Sequence, residues 1–170
     1  ALLDLQAYVL NFTGKIDSCL AHYDRALALP DISEFSKAVL ESWRFMILVF
    51  AGRTADAIAS AQRALDRTTL PPVRFVLLVQ LTRITLESRC EEYLPYADAW
   101  SAEAVSINPL PFARTTRAGV LHELKRDDEA QPMLSQLVTE NLDGSDRGLA
   151  YLYLALIANR RGEMKRAHQF

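Results

Sequence analysis

The chain is poor in the residues that carry chemistry. Among its 170 residues are two cysteines and three histidines. Cys19 and Cys90 cannot build a disulfide framework, and neither has a CxxC partner. Each is expected to pack as a small apolar residue. His22, His122 and His168 are too far apart for zinc ligands on one helix and read as surface or groove residues. Cys19 and His22 are three apart, but Cys19 takes a packing position, which argues against a nucleophilic pair. The six glycines are scattered, so no glycine-rich phosphate loop exists. Like charges form no block and the formal net charge is −2, which disfavours nucleic acid. The longest apolar run, 45–51, is too short to span a bilayer. Nothing at the start has the order of a signal peptide, so a cytoplasmic location is expected. Glu91-Glu92 and Asp127-Asp128 are adjacent carboxylates in turns, which point apart and solubilise. Asn11-Phe12-Thr13 matches the glycosylation sequon and is read as chance. No metal, cofactor or catalytic residue is expected.

What is present is helix. Half of the residues are apolar and a quarter charged, the balance of a folded globular chain. No segment alternates like a strand. Apolar periodicity predicts helices over about 2–12, 16–29, 33–51, 54–67, 73–88, 96–107, 112–125, 128–141, 147–161 and 163–170. Thr13-Gly14 stops the first and Gly52 the third. Pro30, Pro71-Pro72, Pro109 and Pro111 mark other ends. Asp31 to Ser33 offer caps for the third helix, and Thr54 for the fourth. Asp143 to Asp146 reads as a loop. The chain begins without Met and stops inside a helical pattern, as a fragment or processed product would.

Three stretches share one pattern. From Gly14, Gly52 and Gly162, a small residue follows five places on (Cys19, Ala57, Ala167), and another twelve places on where the chain reaches (Ala26, Ala64). Gly14 and Gly162 are 148 residues apart, or four steps of 37. Such a period indicates a helical-pair repeat. Helix pairs stack closely where small residues sit at the crossings, and Ala7, Ala118 and Ala155 supply them on first helices. Cys19, Ala57, Ala97, Ala130 and Ala167 do so on second helices, while Tyr23 and Trp100 fill space between turns.

With these residues in place the chain resembles the tetratricopeptide repeat family. LAHYDRALALP (20–30) looks like the family's second-helix ending, and AYLYLALIANRRGEMKRA (150–167) like its first helix, turn and second-helix start. The third repeat departs most, with a longer turn, and Phe45 stands where the second should have a small residue. The resemblance implies an all-α fold: a right-handed superhelical stack, a tetratricopeptide-like α-solenoid of about five antiparallel helix pairs. One domain over 1–170 is expected, with repeats at 1–32, 33–72, 73–109, 110–146 and an incomplete 147–170.

By the same resemblance, first helices line a concave groove. Its candidate residues are Tyr8, Asn11 and Phe12, then Met46, Val49 and Phe50, then Arg83, His122, Leu152, Leu156, Asn159 and Arg160. Met46 and Phe50, and Leu152 and Leu156, are four apart and share helix faces. Positions that hold lysines and asparagines in the family's peptide clamps carry only Asn11 here, so that mode is not expected. The expected function is a non-catalytic scaffold for a protein or peptide partner, with homodimers through exposed stack ends as a further option. The alternative is a regulatory repeat domain of a larger protein, such as a bacterial transcription regulator, or the repeat appendage of an enzyme.

Overall fold

In the computed structural model, which describes residues 15–89, 91–140 and 144–170, all regular structure is helical. Among the described residues the α-helices are α1 (Ile16–Leu27), α2 (Glu34–Phe50), α3 (Thr54–Arg67), α4 (Pro71–Ser88), α5 (Leu94–Ile107), α6 (Pro111–Glu123), α7 (Asp127–Thr139), α8 (Gly144–Arg160) and α9 (Met164–Ala167). A short 3-10 turn, Glu91–Tyr93, precedes α5. The helix expected over 2–12 lies outside the described residues, as do Cys90 and the sequon.

Helix ends show which local signals operate. Ser33 caps α2 by accepting the Ser36 backbone N–H at 3.1 Å. Thr54, expected as a cap, is instead the first residue of α3, and Arg53 before it makes no side-chain cap. Pro71 and Pro111 open α4 and α6, and Pro95 lies in the first turn of α5. A first-turn proline needs no N–H partner and has its φ already set, so residues read as stops also act as starts. The loop expected at 143–146 is corrected from Gly144 onward, where α8 has already begun.

The turns within the helical hairpins share one geometry. Gly52 and Gly162 have left-handed φ of 69° and 75°. After α2, the Gly52 N–H donates to the Val49 carbonyl and the Arg53 N–H to that of Leu48. After α8, Gly162 and Glu163 do the same to Asn159 and Ala158. Two last-turn carbonyls are satisfied each time. Between α6 and α7 the identical bonds run from Lys125 to His122 and from Arg126 to Leu121. There the left-handed residue is Lys125, at φ 62°. Arg89, at φ 51°, occupies the corresponding place after α4. Positions 52, 89, 125 and 162 are 37, 36 and 37 residues apart. The expected period is thus carried by backbone conformation, and glycine marks only part of it.

The chain divides into two compact units, the described residues up to Ile84 and those from Thr85 onward. In the first, α1 and α3 both pack against α2. Residues near the end of α3, Ala64 and Arg67, face Glu34 and Ala38 near the start of α2, so this hairpin is antiparallel. Cys19, Phe45 and Ala57 are fully enclosed.

In the second unit α6 packs against α5, α7 and α8, and α8 packs against α7 and α9. Arg114 near the start of α6 pairs with Glu140 just past α7, and Arg161 just past α8 reaches Asp128 at the start of α7 at 2.6 Å. Both helix pairs are therefore antiparallel. Ala118, Leu121, Ala130, Leu134, Leu137, Ala150, Leu154 and Ile157 form one apolar cluster. The residues assigned to close crossings, Ala97, Ala118 and Ala130, are enclosed, whereas Ala155 and Ala167 are half-buried.

Candidate functional site

The strongest surface feature of the first unit is one face of α2. Phe50 is 58% exposed and Met46 half-buried, while Val49 is only 9% exposed and turns inward. Helical geometry explains the split: residues four apart share a face, and Val49 is rotated by a quarter turn from Phe50. Two neighbours not singled out from the sequence extend the face, half-buried Val39 and exposed Trp43. Positions 39, 43, 46 and 50 have the 4-3-4 spacing of one stripe, a signal that was available in the sequence. Four apolar residues on one line, two of them large exposed aromatics, make a patch rather than the isolated surface apolar residues that need no explanation.

The second unit carries a comparable face on α8. Leu152 is 52% exposed and Leu156 is exposed, and Leu149, three before Leu152, joins them. Asn159 is exposed one turn further along. Arg83, on α4, is exposed too. Tyr8, Asn11 and Phe12 lie outside the described residues.

His122 and Arg160 belong to a different kind of feature. His122 is only 5% exposed, and its Nδ1 lies 2.8 Å from Asp127 Oδ1. Arg160 donates to the His122 carbonyl at 2.7 Å, to both Asp127 oxygens at 3.2 Å and to His122 Nε2 at 3.1 Å. Because Nε2 accepts from the guanidinium, the pattern assigns the ring proton to Nδ1, which donates to Asp127. Both ring nitrogens are engaged in hydrogen bonds. The cluster ties the end of α8 to the turn between α6 and α7. Sequence periodicity does not indicate it, because His122 and Arg160 are 38 residues apart and meet only through tertiary packing.

The tyrosine beside this cluster is shielded as well. Tyr153 lies with its ring centroid 6.0 Å from that of His122. Burial, and secondarily the charge of Glu123, raise its hydroxyl above the ordinary tyrosine range. It leans over Gly119, where an added Cβ would lie 2.6 Å from the Tyr153 hydroxyl. A side chain at 119 thus meets the ring, and the absence of one admits the close approach of α6 and α8.

Among the described residues no group of His, Cys, Asp and Glu gathers to hold a metal ion, and no helix is long and apolar enough to cross a membrane. Comparison with protein-family models gives no match, and comparison with curated proteins gives none.

Proposed function

We propose that this chain is a tetratricopeptide-like helical repeat that binds a partner helix or peptide through the apolar faces of its first helices. The observation that carries the reading is the α2 stripe of Val39, Trp43, Met46 and Phe50, with its counterpart of Leu149, Leu152 and Leu156 on α8. A partner helix presenting apolar residues at i, i+3, i+4 and i+7 matches such a stripe in spacing. Trp and Phe supply large contact areas with few rotatable bonds. The left-handed turn recurring every 36 or 37 residues supports the repeat assignment. So does the packing of α6 on α8 as well as on α7, which gives first helices their own contacts.

The test places a photo-cross-linking residue at Trp43, compared with a Phe50→Asp variant, and separately at Leu149, compared with a Leu152→Asp/Leu156→Asp variant. The expected result is a defined cross-linked partner segment that is lost in the aspartate variants while their far-UV helical signal is unchanged. Cross-links of equal yield in parent and variants, or unfolding of Phe50→Asp, would overturn the reading.

A further inference from the structure

The side of α2 opposite the stripe is charged. Glu41 and Phe50 are nine residues apart, two and a half helical turns, and so lie on opposite sides. Glu41 is 8% exposed, on the wall of a cleft that α1, α2 and α3 enclose within the first unit. The cleft consists of two adjoining cavities of about 190 and 320 Å³, which share Leu27, Glu41 and Arg67. It is small, but of a size to take a few-carbon acid or an inorganic oxyanion.

Its lining is cationic in a chain whose net charge is −2. Lys37, Arg44, Arg63 and Arg67 face the cleft against Asp24, Glu34 and Glu41. Two of the carboxylates hold arginines in place rather than offering themselves. Asp24 accepts from Arg44 Nε at 2.9 Å, and Glu41 accepts from Arg67 Nη2 at 2.5 Å. Ser60, 1% exposed, accepts from Arg44 Nη1 at 2.6 Å, and the Arg63 carbonyl accepts from Arg67 Nε at 3.1 Å. Arg44 and Arg67 each bond through two of their nitrogens, although the Arg67 side chain is 67% exposed, and among the described residues no bond engages the third, Nη2 of Arg44 or Nη1 of Arg67. The guanidinium of Arg63 and the ammonium of Lys37 bond to no carboxylate among the described residues. Guanidinium groups held in advance are suited to oxyanions, because the fork matches two oxygens and little ordering remains to be done on binding.

We propose that this cleft binds a small oxyanion, a phosphate or a multiply charged carboxylate, through Arg44, Arg63, Arg67 and Lys37. Glu41 and Asp24 act as the fixed counter-charges that aim the arginines. The site lies on the far side of α2 from the apolar stripe, so it stands or falls independently of the partner-binding reading.

Inorganic phosphate and citrate are the probes, added to the whole chain against sodium chloride at matched ionic strength. The expected result is saturable heat in isothermal titration and a rise in melting midpoint beyond that of chloride. Arg63→Ala and Lys37→Ala, both at exposed positions, are expected to keep the helical signal and together weaken binding at least about tenfold. Arg161→Ala in the second unit and Phe50→Asp are expected to leave it unchanged. A rise no greater than that given by chloride, or equal weakening by Arg161→Ala, would show charge screening only and would sink the proposal. So would undiminished binding in the Arg63→Ala/Lys37→Ala variant.

Discussion

The α2–α3 hairpin of the first unit and the α6–α7 hairpin of the second are built to one plan with opposite choices at matching places. Counted from the left-handed residues 52 and 125, Glu41 and Arg114 stand eleven places before the turn, and Arg67 and Glu140 fifteen places after it. Each couple is an ion pair, with its charges reversed between the two hairpins. Arg44 and Arg117 both stand eight places before the turn, and each pairs with an aspartate of the preceding helix, Asp24 or Asp98. Just after the turn, Arg53 pairs with Asp56 and Arg126 with Glu129. The last turn repeats this with reversed charge, as Glu163 and Arg166. At these distances from the turn both hairpins make a pair, and at two of them the sign is reversed. Either order satisfies the same geometry.

The interiors differ in the same manner. Seven places before the turn the first hairpin has Phe45 and the second Ala118; twelve places after it, the first has Ala64 and the second Leu137. All four are buried. Each hairpin holds one large and one small residue, in opposite order, and cores tolerate such exchanges when total volume is kept. Phe45→Ala is therefore expected to cost about 3–5 kcal/mol, and Ala64→Leu alone about 1–3 kcal/mol by overpacking. If the two positions share one space, the double variant recovers most of the first loss in urea denaturation. Additive losses would show that the two sites do not trade volume.

A smaller effect comes from the second helices. Pro132 lies inside α7, seven places after the turn, where α3 has exposed Ala59. Proline there removes one backbone hydrogen bond and crowds the preceding turn, at about 3 kcal/mol in a helix interior. Ala59→Pro is expected to lower stability by about that amount, and Pro132→Ala to raise it by less if α7 accommodates the ring. Matching melting midpoints for Pro132→Ala and its parent would mean that α7 adapts fully to the proline.

Smaller again is the exchange at the turn. Lys125 takes a conformation that costs an L-residue about 1–2 kcal/mol, part of which glycine gives back through its freer unfolded chain. Lys125→Gly is expected to stabilise by under about 1 kcal/mol, and Gly52→Ala to destabilise by about 1 kcal/mol. Both follow from thermal melts, and a loss on Lys125→Gly would mean that the lysine side chain contributes more than its backbone strain removes.

These contrasts show what the sequence could reveal. Gly52 and Gly162 announced their turns because glycine is the usual left-handed residue, whereas Lys125 and Arg89 adopt the same conformation with no local sign of it. Helix positions followed from apolar spacing, and so did the shared faces of Met46 with Phe50 and of Leu152 with Leu156. Val49 was placed in the groove by the register of the resemblance, but it is only 9% exposed, because it is rotated about 100° from Phe50. The charged cleft was not legible. Its arginines and carboxylates come from three helices, and a surface charge in the sequence looks the same whether it meets solvent or a cavity.

The reversed ion pairs give the last contrast, because the two glutamates meet opposite surroundings. Burial pushes the Glu41 carboxyl above its ordinary range, although Arg67, Arg44 and the Ser60 hydrogen bond pull it down. Glu140 is held below that range, first by the hydrogen bond from Arg114. The raised group contributes stability fully present below the ordinary carboxyl value and lost as pH rises through its folded value. The lowered group contributes stability present above the ordinary value and lost as pH falls through its folded value. Glutamine resembles the protonated acid, so each Glu→Gln variant approaches its parent in melting as pH falls below that carboxyl's folded value, sooner for the raised Glu41 than for the lowered Glu140. By pH 7 the two differences are expected to have opposite signs. Glu140→Gln melts below its parent, because the charge-assisted bond to Arg114 is gone. Glu41→Gln melts level with or above its parent, because a buried charge is removed and Arg67, whose side chain is 67% exposed, remains solvated. Melts of both variants from pH 3 to 7 measure this, and a neutral-pH loss in Glu41→Gln as large as that in Glu140→Gln would mean that the Glu41–Arg67 attraction outweighs the cost of burying its carboxylate.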